Sequence, residues 1–192
     1  YVVGAPEFIM GDRYDSIRSE AEPWSERGCR VLLLAAYDTV FDDGPLQSAH
    51  VAPIALVFLS NLLRPDAQET FRYFASQGVS VRVISGDNPI TVAQVAARAG
   101  IENADRYVDA MTLSTEQDFE EAVKYYTVFG RVTPEQKRYL VRAFQKQGHT
   151  VAMTGDGVND VLALKDANCG IAMASGSQAA SQVAQIVLLN SQ

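Results

Sequence analysis

Short apolar runs, bounded by glycine, proline or acidic residues, recur along most of this chain, with amphipathic stretches of ten or so residues between them. From about residue 55 the alternation is regular. ALVFL (55–59) reads as a buried strand, and 65–77 as an amphipathic helix with Phe71 and Phe74 on one face. VSVRVIS (79–85) predicts a strand and 89–98 a helix. After a polar interval, TVFGR (127–131) is a strand, and the helix over 134–147 opens with proline, whose missing N–H is harmless in the first turn. HTVAMTG, VNDVLALKDA, CGIAMA, SQAASQVA and QIVLL then read strand, helix, strand, helix, strand. β-Rich runs alternating with helices imply a parallel sheet covered on both faces, hence an α/β fold.

The chain also echoes itself. ASQGVSVRVISGDN and QKQGHTVAMTGDGVN share one plan: helix, Gln-Gly, strand, Gly-Asp, helix. The glycine ends the helix, and the Gly-Asp pair follows the carboxyl end of the strand. Ligands bind at that edge of open parallel sheets, so both turns are expected on one rim. Residues 1–54 follow another pattern: a polar helix over about 12–25 ending at Arg27-Gly28, the strand RVLLLAAY, and the turn-rich loop DTVFDDGPLQSAH. They are expected to belong to a second, smaller domain joining the first near Pro53.

Composition narrows the function classes. With 16 basic and 23 acidic residues among 192, the net charge is −7 and no Lys/Arg run lines a helix, which argues against nucleic-acid binding through phosphates. Cys29 and Cys169 sit in apolar segments and read as buried free thiols, consistent with a reducing compartment. No apolar run approaches the roughly 18 residues that a membrane helix needs. YVVGAPEFIM lacks the basic lead and apolar stretch of a signal peptide and reads like the middle of a longer protein.

The richest chemistry lies in HTVAMTGDGVNDVLALK (149–165). Gly155 and Gly157 permit a tight turn and close approach to a ligand. Asp156 is expected to project from the rim, with Asp160 four residues on and on the same side of the new helix. Grouped carboxylates suit Mg²⁺, a hard ion that takes one or two of them with waters and phosphate oxygens. Helix capping is the alternative for either acid. Ser85, in VISGDN, offers a hydroxyl at a strand end before a helix N-terminus, a cradle for phosphate or simply a cap. Lys137, in RVTPEQKRYL, is either a solvated lysine or a charge placed to neutralise a phosphoryl group.

Ser or Thr after one strand, a later Lys, then a Gly-Asp pair of acids is the order seen in the haloacid-dehalogenase superfamily. Within it the chain resembles the P-type ATPases, in their bacterial calcium-pump-like branch. TGDGVND (154–160), the continuation ALKDANCGIAMASGSQAASQVAQIVLL, SGDNPITVAQVAARAGI, GAPEFI and GCRVLLLA carry the likeness. The resemblance implies a haloacid-dehalogenase-like doubly wound parallel sheet, the phosphorylation domain, over 55–192, and part of an α+β nucleotide-binding domain over 1–54. It implies catalytic roles for Lys137, Ser85 and Asp156, with Asp156 and Asp160 at Mg²⁺. Contacts to ATP are implied for Gly4, Arg30, Gly86, Asp87, Gly155 and Arg64.

The chain departs from the family pattern at several points. Val3 stands where K-G-A-P-E has lysine, Asn61-Leu62-Leu63-Arg64 stands for D-P-P-R, and Val161-Leu162 stands for Ala-Pro. The D-K-T-G-T segment carrying the nucleophilic aspartate is absent; Asp38 follows an apolar strand but lacks the lysine and glycine spacing. The expectation is a cytoplasmic fragment of an ATP-driven cation pump, inactive alone. Its partners would be ATP and the rest of the pump: membrane helices, actuator domain and the D-K-T-G-T strand. A strand-swapped dimer is a further expectation, since a sheet without its central strand exposes two edges. The full-length protein would act at the cytoplasmic face of the cell membrane, while the fragment would be soluble. A free-standing phosphatase of the same superfamily and a non-catalytic regulatory module are the alternatives.

Overall fold

The computed structural model describes residues 1–39, 46–60 and 63–189. Asn61 and Leu62, which stand in the D-P-P-R position, and residues 40–45 of the DTVFDDGPLQSAH loop lie outside them. Two compact units emerge: Tyr1–Ser80 with Ile90–Ile101, and Val81–Pro89 with Glu102–Gln192.

The first unit contains β1 (Val2–Gly4), α1 (Pro6–Met10), α2 (Asp15–Ser25), β2 (Arg30–Tyr37), β3 (Val51–Leu59), α3 (Ala67–Ser76) and most of α4 (Pro89–Arg98). Its sheet is antiparallel, in the order β1-β2-β3. Ile9, Met10, Leu33, Ala35 and Val51 form its core. Gly28, at φ +81°, makes the turn from α2 to β2 in a conformation that side chains avoid.

The expectation that ALVFL is a buried strand of the parallel sheet is corrected here. It is the second half of β3, paired antiparallel with β2 and largely exposed. The eight-residue β2 offers a long ladder, and antiparallel pairing needs no helical crossover. The expected domain boundary at residue 54 falls inside this strand. Cys29 and Cys169 are free, as expected, but only half-buried.

The second unit holds the parallel layers. Its elements are β4 (Val83–Ile84), β5 (Tyr107–Asp109), α5 (Glu116–Tyr125), β6 (Val128–Gly130), α6 (Pro134–Lys146), β7 (Ala152–Gly155), α7 (Val161–Asp166), β8 (Cys169–Met173), α8 (Gln178–Val183) and β9 (Ile186–Leu188). They build two three-stranded parallel sheets, β4-β6-β5 and β7-β8-β9. Helix α6 serves both cores. Leu140, Ala143 and Phe144 pack with Phe119 and Phe129 on one side, and Val141 packs with Met153, Ala163 and Leu164 on the other. Strands β4 and β7 are terminal in their sheets. No helix among the described residues is long and apolar enough to cross a membrane.

Candidate active site

The turn after β7 is built around Asp160. Its Oδ1 accepts from Lys137 Nζ at 2.6 Å, and its Oδ2 accepts from the Gly157 N–H at 3.0 Å. The side chains of Lys137 and Asp160 are only 13% and 9% exposed, so the two charges face each other almost out of water. Position 155 requires glycine, because a Cβ there would lie 2.6 Å from the Asp160 Cβ.

Asp156, between the two glycines, is exposed. Its backbone oxygen accepts from the Ser177 N–H at 2.6 Å, and a Cβ on Gly176 would come within 2.5 Å of that same oxygen. The backbone of Asp156 is thus gripped by the turn into α8 while its carboxylate stays open to solvent.

Lys137 owes its place to α6. Thr133 caps this helix: its Oγ1 accepts from the Gln136 N–H at 3.3 Å, and Gln136 Oε1 accepts from the Thr133 N–H at 3.0 Å. Further along, Arg138 Nε and Arg142 Nε both donate to Asp166 Oδ2 at 2.7 Å, tying α6 to α7. Burial opposes the negative charge on Asp166, but the hydrogen bonds and charges of Arg138 and Arg142 outweigh it and hold its pKa below the ordinary carboxylate range.

Ser85 follows β4. Its N–H donates to the Phe129 carbonyl and its carbonyl accepts from the Val132 N–H, each at 3.0 Å. The Asp87 N–H donates to Ser85 Oγ at 3.1 Å, which leaves the hydroxyl proton to be donated elsewhere. Gly86, at the tip, is exposed. Lys137, Asp160 and the Asp156 turn therefore form one hydrogen-bonded group, and the Ser85 turn is laced to the segment that leads into α6.

Gly4, Arg30 and Arg64 lie in the other unit. Gly4 ends β1 opposite Leu33, Arg30 opens β2 opposite Leu59, and Arg64 is exposed with its Nε 3.3 Å from Asp66 Oδ1.

Among the described residues no group of three or more His, Cys, Asp or Glu side chains is arranged to hold a metal. What the turn offers is an exposed hard-oxygen donor at Asp156, beside an Asp160 whose oxygens already hold Lys137 and Gly157. That donor set fits Mg²⁺ shared with phosphate oxygens and water better than a closed protein cage.

Some residues of this region were not singled out from sequence. The Thr133–Gln136 capping pair was readable as T-P-E-Q. The Asp166 staple and the left-handed Arg131, at φ +52°, had no local signal, since both are set by tertiary contacts.

The family model described as a haloacid dehalogenase-like hydrolase matches residues 8–168. The chain is 51% identical over 191 residues to the calcium-transporting ATPase CtpE of Mycobacterium tuberculosis (strain CDC 1551 / Oshkosh), covering 99% of this chain and 24% of that protein. It is 42% identical to the probable cation-transporting ATPase exp7 of Streptococcus pneumoniae, covering 98% of this chain and again 24% of the relative. Among solved structures, a zinc-transporting PIB-type ATPase in the E2.Pi state matches with a TM-score of 0.57 and 25% identity, covering 91% of this chain and 22% of that one. The chain thus spans about a quarter of the length of the curated relatives it matches.

Proposed function

The chain belongs to the haloacid dehalogenase-like hydrolases, and from that premise we propose that it is a cytoplasmic segment of an ATP-driven, cation-transporting P-type pump. Its role in the whole protein is to bind ATP and Mg²⁺ and to stabilise phosphoryl transfer to and from an aspartate outside this chain. Residues after β3 are assigned to the phosphorylation domain, and those up to and including β3 to the nucleotide-binding domain, which keeps the antiparallel β1-β2-β3 sheet whole.

The observation that carries this reading is the Lys137–Asp160 ion pair beneath the Gly155–Gly157 turn. Two charged groups 23 positions apart are held together at a strand end, next to an exposed acid. In an ordinary surface ion pair both partners stay solvated and contribute little. Here the bond to a nearly buried Asp160 holds the Lys137 ammonium in one place, and a donor placed in advance is what a transferring phosphoryl group requires.

Asp160 positions Lys137, and the ammonium's remaining protons are directed to phosphoryl oxygens. Ser85 donates its hydroxyl proton to the same group. Asp156 supplies the carboxylate for Mg²⁺, with Asp160 supporting it from behind. When bound, Mg²⁺ neutralises phosphate charge and orders the oxygens for in-line transfer. Gly86, Asp87 and Gly155 line the approach to the phosphates, and Gly4, Arg30 and Arg64 contact ATP.

The test is restoration. A segment carrying D-K-T-G-T is joined to this chain, and acid-stable phosphate incorporation from ATP with Mg²⁺ is measured. Labelling that disappears when the new aspartate is changed to asparagine is expected; no labelling in the completed protein contradicts the reading.

A further inference from the structure

Asp109 closes β5, directly opposite Gly130 in the ladder with β6. Its Oδ2 accepts from Arg131 Nη1 at 2.6 Å, and its Oδ1 accepts from the Met111 N–H at 3.0 Å. The side chains of Arg131 and Asp109 are 21% and 25% exposed. Arg131 has φ +52°, a left-handed backbone that an arginine adopts only when its surroundings impose it.

That conformation has a use. It aims two consecutive N–H groups at the Ser85 turn: Arg131 N–H donates to the Asp87 carbonyl at 2.8 Å, and Val132 N–H donates to the Ser85 carbonyl at 3.0 Å. The turn is also pressed onto β6 so closely that a Cβ on Gly130 would lie 2.4 Å from Pro89 Cα. Val132 precedes the Thr133 cap of α6, so the same two residues connect the Ser85 turn to the helix bearing Lys137.

We propose that the Asp109–Arg131 ion pair is a positioning clamp: it holds Arg131 left-handed and so fixes Ser85 in register with Lys137 for phosphate. Neither clamp residue has to touch the phosphate. The clamp's effect on binding rests on the phosphoryl site proposed above; its effect on the backbone does not.

The experiment has two arms on the full chain. In the first, amide hydrogen exchange is followed at Arg131 and Val132, with Cys169 as reference, since it opens β8 in the other sheet and its N–H bonds to the Val151 carbonyl. Asp109→Asn is expected to speed exchange at both residues by about tenfold and to leave Cys169 unchanged. Arg131→Gly, which adopts this backbone without strain, is expected to keep protection at Val132 within about threefold of wild type. In the second arm, inorganic phosphate is titrated in the presence of Mg²⁺; Asp109→Asn is expected to weaken its affinity about tenfold, and Asp109→Glu to restore it. Unchanged exchange in Asp109→Asn overturns the proposal, and so does faster exchange with unchanged phosphate affinity. If Asp109→Asn loses protection at Cys169 and so fails to fold, Arg131→Gln carries the same expectations. A wild-type chain that binds no phosphate overturns the phosphoryl-site reading, and the exchange arm then decides the clamp alone.

Discussion

Lys137 and Asp160 are so nearly buried that neither charge can fall back on bulk water when its partner is removed. Lys137→Met therefore leaves an unpaired carboxylate in a poorly solvated place and is expected to destabilise the chain by about 3 kcal/mol. Combining it with Asp160→Asn removes both charges, keeps an acceptor for the Gly157 N–H, and should recover most of that loss. Urea unfolding of the two single variants and the double variant checks this; additive losses would mean the pair is not coupled. Asp166 gives a pH dependence of definite sign. Its pKa is lowered on folding, so its contribution is complete above the unfolded value of about 4 and is lost as pH falls further through the folded value. Asp166→Asn should therefore be less stable than wild type at neutral pH, with the gap closing below about pH 4. A gap that stays constant down to acid would show that the Arg138–Asp166–Arg142 staple acts through shape alone.

Among the elements, those with a clear period were readable from the chain and those set by pairing were not. The helix predicted over 89–98 is α4 to the residue, and 134–147 differs from α6 by one. Both begin with a proline and carry an apolar stripe. The polar interval before residue 127 conceals β5, only three residues long, and α5, which is amphipathic. Its start was nonetheless written in S-T-E-Q-D, where Thr115 and Asp118 form a capping box around the first turn. The antiparallel pairing of β3 depends on β2, a partner that local pattern does not reveal. Of the candidate site, the tight Gly155–Gly157 turn was legible because glycine permits it, whereas the pairing of Asp160 with Lys137 and the Gly157 N–H was not, because it joins residues 23 positions apart. The clamp at Arg131 was not, because nothing in an arginine's identity announces a left-handed backbone. At this scale Thr133→Ala should cost about 1 kcal/mol through loss of the α6 cap. Since the cap also sets where α6 begins, its loss should loosen Lys137, seen as broadened Nζ signals by NMR. A stability loss with unaltered Lys137 signals would separate the cap from the site.

On the scale of the whole molecule, the chain spans about a quarter of its curated relatives, and two parallel sheets end on the strands that bear the candidate site. Terminal strands with unsatisfied backbone groups are templates for pairing. The chain alone is therefore expected to self-associate in solution, and joining the D-K-T-G-T segment to it is expected to return it to monomer. Sedimentation of both forms measures this; equal masses would mean that the edges are already protected. Ser85, Lys137 and Asp156 are proposed to serve one magnesium-and-phosphate pocket. Its most direct test is a titration of the chain with Mg²⁺ and inorganic phosphate, followed by NMR at those three residues. The proposed pocket requires all three to shift together along one saturating curve, abolished by Lys137→Ala. Shifts that saturate at separate concentrations, or that survive the loss of Lys137, would contradict it.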